Sequence, residues 1–75
     1  MEEKFIMLFK ETMENEDLEV ELNTRFRDLD GWDSLTFLSV LAMIDEEYDV
    51  VIEGNDFQKL ETIEDVINEI KKSKN

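Results

Sequence analysis

The run Leu35 to Tyr48, LTFLSVLAMIDEEY, constrains this chain more than any other stretch, because it repeats apolar residues at helical spacing on two adjoining faces. Phe37, Val40, Leu41, Ile44 and Tyr48 fall on one face, and Leu35, Leu38 and Ala42 on the next. The first stripe is core. The second is too apolar for an ordinary solvated face, so it packs either on a neighbouring helix or on a visiting protein. A chain of 75 residues has room for one modest core, and therefore for a single domain, residues 1–75, built around this helix.

The remaining elements must cover that first stripe. From Glu2 to about Glu14, Phe5, Leu8, Phe9 and Met13 keep the spacing of one helical face, which predicts the first helix. Near the other end Thr62 opens the last helix, where Ile63, Val66, Ile67 and Ile70 form a stripe. Thr62 with Asp65 resembles a capping box, with Asp shorter than the usual Glu or Gln. Lys71, Lys72 and Lys74 lie at its C-terminal end, where the helix dipole favours cations. Asp56 to Leu60 has length for only about one helical turn. Asn15 to Asp33 loses the helical period and gathers acids, with Leu18, Val20, Leu22, Phe26 and Leu29 as scattered anchors. It predicts a long pinned loop holding at most a short turn of helix, and a loop of that length in a compact domain is often functional. Val50-Val51-Ile52 has no second strand to pair with and predicts a buried loop ended by Gly54. The expected architecture is all-α: a small bundle of three main helices plus one short helix, with a long loop between the first two.

Composition narrows the chemistry. Cysteine and histidine are both absent, which removes native thiol chemistry, the commonest general base and the usual zinc ligands. No autonomous enzyme and no metal site are expected. Eight Lys and Arg against 21 Asp and Glu leave a net charge of −13, a field that repels nucleic acid and anionic lipid and attracts basic protein patches. No run approaches the ~20 apolar residues of a membrane span, and the start Met1-Glu2-Glu3 lacks the positive region of a signal peptide. The expected compartment is the cytoplasm, without membrane insertion.

Two features of the central helix point to function. At its start, GWDSL offers Asp33 or Ser34 as an N-cap. The same exposed N–H groups and helix dipole also favour a phosphate attached to the Ser34 hydroxyl. Asp33 would then serve as a recognition or metal-proximal acid during attachment. At the far end Asp45, Glu46 and Glu47 crowd the last turn against the dipole, each at a cost of roughly 0.3–1 kcal/mol if exposed. Stability alone would not choose them. A local rule broken in a cluster reads as a docking surface, while the bland account is solvation in a chain that is acidic throughout.

On these residues the chain resembles an acyl carrier protein. The core of the resemblance is GWDSLTFLSVLAMIDEEYDVVI, followed at family spacing by Phe57-Gln58-Lys59-Leu60 and by TIEDVINEI, so that it covers nearly the whole chain. It implies a four-helix carrier with no catalytic residues of its own. Ser34 would receive a covalent phosphopantetheine arm from coenzyme A through a magnesium-using phosphopantetheinyl transferase, and the arm's thiol would carry acyl groups as thioesters. Asp33, Leu35, Leu38, Ala42, Glu46 and Glu47 map onto the family's recognition helix, and Asp45 joins them in the acidic turn. The implied partners are the transferase and acyl- or aminoacyl-loading and condensing enzymes with basic docking patches, met by a monomer.

Departures from the family pattern shape the expectation further. Thr36 and Ser39 stand where fatty-acid synthesis carriers usually place acids, so general enzymes of that pathway should bind less well. Phe37 replaces a smaller residue near the acyl pocket and leaves a long chain less room, or else simply packs better. Trp32 and Leu29 look more like carriers of specialised pathways, of polyketide, peptide or aminoacyl type, although a single Trp can equally pin a loop. DLDGWD resembles part of a calcium loop. Aligning Gly31 with its invariant glycine puts Phe26 and Phe37 where the first and last acids belong, so only weak, nonspecific divalent binding is expected. The competing class is an acidic adaptor that binds a basic partner and is never modified, with Ser34 only a helix cap.

Overall fold

The computed structural model describes residues 1–74; the expected domain runs to Asn75, which lies outside the described residues. The described residues form four α-helices: α1 (Glu2–Thr12), α2 (Ser34–Tyr48), α3 (Gly54–Phe57) and α4 (Ile63–Lys74). The connection from α1 to α2 contains one short 3-10 helix, Phe26–Asp28. The architecture is therefore the all-α bundle with a long first loop that the apolar spacing predicts.

Burial follows that spacing closely. α1 buries Phe5 and Phe9, α2 buries Val40, Met43 and Ile44, and α4 buries Ile63, Val66, Ile67 and Ile70. Phe37, Leu41 and Tyr48 lie partly buried against this core, completing the first stripe of α2. Met43 belongs to neither predicted stripe, yet it is buried beside Ile44, so the core-facing side of α2 is broader than its periodicity indicates. The anchors of the long loop all reach the core: Val20 and Phe26 are buried, and Leu18, Leu22 and Leu29 pack on it.

The loop also closes the first turn of α4. A helix begins with N–H groups that have no partner inside it. Here Ile63 N–H donates to Thr24 O at 3.1 Å and Glu64 N–H to Leu22 O at 2.9 Å. Asp65 N–H donates to Thr62 Oγ1 at 3.2 Å, while Asp65 Oδ2 accepts from Thr62 N–H at 3.1 Å and from Glu61 N–H at 3.0 Å. The reciprocal capping box is present, with Asp reaching back far enough to take two N–H groups.

Two local expectations are corrected. The short helix starts at Gly54 rather than Asp56, because Phe57 N–H reaches back to Glu53 O at 2.9 Å and Gln58 N–H to Gly54 O at 3.1 Å. Residues 58 and 59 continue as turn, with Leu60 N–H bonded to Phe57 O at 3.0 Å. The run Val50-Val51-Ile52 is not uniformly buried. Val50 and Ile52 face the core while Val51 is 76% exposed, the alternation of an extended segment without a strand partner.

Candidate functional site

The start of α2 is set by Asp33. Its backbone is extended, its side chain accepts Thr36 N–H at 2.8 Å, and its carbonyl accepts Phe37 N–H at 2.9 Å. The Thr36 hydroxyl donates in turn to Gly31 O at 3.2 Å, tying the first turn to the residue that makes the bend. Gly31 has φ +88°, a left-handed backbone that a side chain at this position would strain. Of the two cap candidates, Asp33 is therefore the N-cap and Ser34 the first helical residue. The Thr36 backbone N–H holds the Asp33 carboxyl below its ordinary pKa of 3.8.

Ser34 is consequently released from capping. It is exposed, and among the described residues its N–H has no protein acceptor and its Oγ no hydrogen-bond partner. Beside it lies an open groove of about 310 Å³, lined by Arg27, Trp32, Asp33, Ser34, Phe37 and Gln58. This serine stands on the positive end of a helix, next to a cleft. The arrangement can present a hydroxyl to an incoming reagent and accommodate a phosphate on it.

Aromatic rings form the floor of the groove. Trp32 stacks between Phe9, at a centroid distance of 6.3 Å, and Phe57, at 6.4 Å, and tilts against Phe26 at 5.1 Å. The indole thus pins the end of the loop to the core, fixing where α2 begins. Phe37 meets Phe57 at 5.3 Å and spans the gap between α2 and α3.

Arg27, which no sequence pattern singled out, forms another wall. It donates to Leu60 O and, at 3.0 Å, to Phe57 O, so that it caps the end of α3 from the long loop. Its guanidinium also lies over the Phe26 ring at 4.9 Å and the Phe57 ring at 5.8 Å. The only advance signal was that Arg25 and Arg27 are the two cations of a loop otherwise rich in acids. Gln58, known from the sequence only as part of the short helix, also enters the groove wall.

The predicted docking residues lie on the outside of α2. Leu35 is 73% and Leu38 59% exposed, and Ala42, Asp45, Glu46 and Glu47 are exposed as well. The second apolar stripe therefore does not pack on a neighbouring helix. None of the three acids takes part in an ion pair among the described residues. Asp49, with φ 56°, ends the helix in a left-handed cap, its N–H bonded to Asp45 O at 2.9 Å. Lys74 Nζ donates to Tyr48 O at 3.0 Å and offsets part of the negative charge at this helix end. Ser34 and the acids mark opposite ends of one helix face-on to solvent, rather than one cluster.

Known proteins share this design. Residues 3–70 match the phosphopantetheine attachment site family. The acyl carrier protein of Borrelia garinii subsp. bavariensis is 31% identical over 67 residues, covering 89% of this chain and 84% of that protein. The solution structure of the holo acyl carrier protein from Geobacter metallireducens superposes with a TM-score of 0.83 at 19% identity, over 96% of this chain and 83% of that one. A structure from Mycobacterium tuberculosis described as a candidate acyl carrier protein gives 0.80 at 24% identity, over 93% of both chains. These two likenesses concern the fold. Together with the sequence match along nearly the whole chain, they lead to one conclusion: the chain belongs to the acyl carrier protein family, whose members are phosphopantetheine-dependent carriers and not catalysts.

Proposed function

We propose that Ser34 is the point of phosphopantetheine attachment and that the chain delivers acyl or aminoacyl groups to enzymes of a specialised biosynthetic pathway. The observation that carries this reading is the division of labour at the start of α2: Asp33 performs the capping, and the Ser34 hydroxyl is left free beside an open groove. The donor set fits the group. Ser34 N–H and the dipole of α2 favour the phosphodiester, and the groove walls of Arg27, Trp32 and Gln58 give the adjoining arm a surface to lie against.

In the attachment step Ser34 Oγ supplies the nucleophile. It forms an O–P bond to coenzyme A as the pyrophosphate bond breaks, adenosine bisphosphate leaves, and the hydroxyl proton passes to a base on the magnesium-dependent transferase. Asp33 stays ionised at neutral pH and holds the first turn of α2 rigid, so Ser34 is offered in one orientation. Phosphopantetheine, once bound, supplies the thiol on which cargo travels as a thioester.

Partner enzymes dock on Leu35, Leu38, Ala42, Asp45, Glu46 and Glu47. An exposed apolar stripe ending in unpaired acids suits brief encounters with basic patches, since charge raises the rate of association without demanding a long-lived complex. Specialised pathways are favoured because no acid occurs in the first turn of α2 and because Phe37 narrows the gap to α3. The chain acts as a cytoplasmic monomer comprising one domain. None of its helices is long and apolar enough to cross a membrane among the described residues.

The test is intact mass before and after incubation with coenzyme A, magnesium and a broad-specificity transferase, with Ser34→Ala in parallel. The expected result is a gain of one phosphopantetheine by the native chain and none by the variant, with both equally stable because Ser34 is not the cap. No gain by a folded, unmodified native chain with several transferases would instead favour the acidic adaptor.

A further inference from the structure

A chain tethered at Ser34 has two places to go: inward between α2 and α3, or outward along the groove. The inward path is filled with rings. Phe37 from α2 meets Phe57 of α3 at a centroid distance of 5.3 Å, and Phe57 meets Phe26 of the loop at 5.3 Å. Trp32 closes the set against Phe26 at 5.1 Å, and both Phe26 and Phe57 are essentially inaccessible, at 0% and 1% exposure.

This aromatic plug is also fastened from outside. An ideal Cβ at Gly54 would lie 3.8 Å from Phe37 Cζ, so a side chain at the first residue of α3 would meet the tip of this ring. Arg27 holds the other end of α3 through Phe57 O and Leu60 O while covering the faces of Phe26 and Phe57. To admit an alkyl chain, Phe37 and Phe57 must separate and give up their own packing. The burial of the alkyl chain is then offset by the unpacking of the two rings.

The outward path offers little shelter to a long alkyl group. Its groove is open, and the Trp32 and Phe37 rings on its floor are interleaved with polar walls of Arg27, Asp33, Ser34 and Gln58, so a long alkyl group lying there keeps much of its surface in water. From this we infer that the carrier holds its acyl or aminoacyl cargo outside the bundle, and that Phe37 is the residue that keeps long alkyl chains out of it. The inference rests on Ser34 as the attachment point.

The experiment loads the native chain and Phe37→Ala with acetyl- and octanoyl-phosphopantetheine from the corresponding coenzyme A thioesters, verifies each product by intact mass, and records thermal melting and Trp32 fluorescence. For the native chain, the acetyl and octanoyl forms should melt together and share one Trp32 emission maximum. In Phe37→Ala the octanoyl form should melt higher than the acetyl form by roughly 5 °C and shift the emission, because the chain fills the space the ring vacated. Phe37→Leu serves as the second variant if Phe37→Ala does not fold, with a smaller shift expected in the same direction.

An octanoyl group that raises the melting temperature of the native chain and shifts Trp32 emission would overturn the inference. So would variants that fold, load fully and remain insensitive to chain length, since Phe37 would then not be the barrier. Failure to gain mass on any form would overturn the attachment reading beneath it, an outcome distinct from either of these.

Discussion

α2 begins on the Asp33 carboxylate and α4 on the Thr62–Asp65 capping box, yet α4 closes every N–H of its first turn within the protein, whereas α2 leaves Ser34 N–H without a protein acceptor among the described residues. The contrast extends along both helices. α4 buries Ile63, Val66, Ile67 and Ile70, each at 2% exposure or less, and its outward face is polar. α2 buries its own inner stripe and carries a second one that folding does not use, with Leu35 and Leu38 largely exposed. One helix is consumed by the fold. The other has apolar surface and an anion-ready terminus beyond what the fold requires, and that surplus is what the proposed attachment and docking would use.

The largest effect expected from this comparison lies on α4. Ile70→Ala removes a fully buried side chain and should cost about 2–5 kcal/mol, a large share of the stability of a small domain, as a lower urea midpoint with little change in slope. A loss well below that would mean that α4 is less completely used by the core than its burial indicates.

A second effect, about 0.5–2 kcal/mol, is expected for Asp65→Ala, which opens the closed start of α4 by freeing the N–H groups of Glu61 and Thr62. It carries a pH signature. Those two N–H groups, Glu61 first, lower the Asp65 pKa from its ordinary 3.8, so the folded state releases the proton more readily than the unfolded one. The contribution is full above that ordinary value and is lost as pH falls through the lower folded value. Urea titrations of both proteins at pH ~7 and pH ~2.5 should show the gap between them shrinking in acid. Comparing the pair removes the general charge relief that protonation gives a chain of net charge −13. A gap independent of pH would mean that Asp65 acts through packing and not through its charge.

How far the sequence reveals this contrast depends on the range of each interaction. The stripes of α1, α2 and α4 and the Thr62–Asp65 box are local, with partners within one or two turns, and spacing alone places them. The excess apolarity of α2 is equally visible beforehand, although only the packing shows that its second stripe faces away from α1 and α4. Arg27 is different, because its acceptors Leu60 O and Phe57 O are 33 and 30 residues away and are backbone atoms that leave no side-chain pattern. The choice of Asp33 over Ser34 as cap turns on one backbone bend at Gly31, and the start of α3 turns on a single turn of hydrogen bonds too short to have a period. Trp32 between Phe9 and Phe57 joins three distant segments, so its role is legible as a pin but its neighbours are not.

A smaller effect of opposite signs is expected at the acidic end of α2. Glu47→Gln removes a negative charge from the unfavourable end of the helix dipole and should stabilise the fold by about 0.3–1 kcal/mol at low ionic strength. The same change should raise the transferase KM several-fold, with the difference fading as salt screens the encounter. Parallel movement of stability and docking, both falling, would place Glu47 in the fold rather than on the partner's surface.

The smallest change in stability is expected where the apolarity is most conspicuous. Leu38 is 59% exposed in the middle of the second stripe, and alanine keeps the helix while removing most of the side chain. Leu38→Ala should therefore alter the urea midpoint by less than the equivalent of about 0.5 kcal/mol, a tenth or so of the loss expected at Ile70. Modification kinetics should respond far more, since a leucine exposed in the free carrier gains its burial only when a partner covers it; a rise in KM of roughly tenfold corresponds to the ~1.4 kcal/mol within reach of one such side chain. The pairing of the two measurements decides the point. A destabilisation of Leu38→Ala comparable to that of Ile70→Ala would mean that the stripe is packed within the protein, and the difference between α2 and α4 would disappear. Unchanged stability with unchanged kinetics would leave the stripe exposed but move the docking surface elsewhere on the carrier.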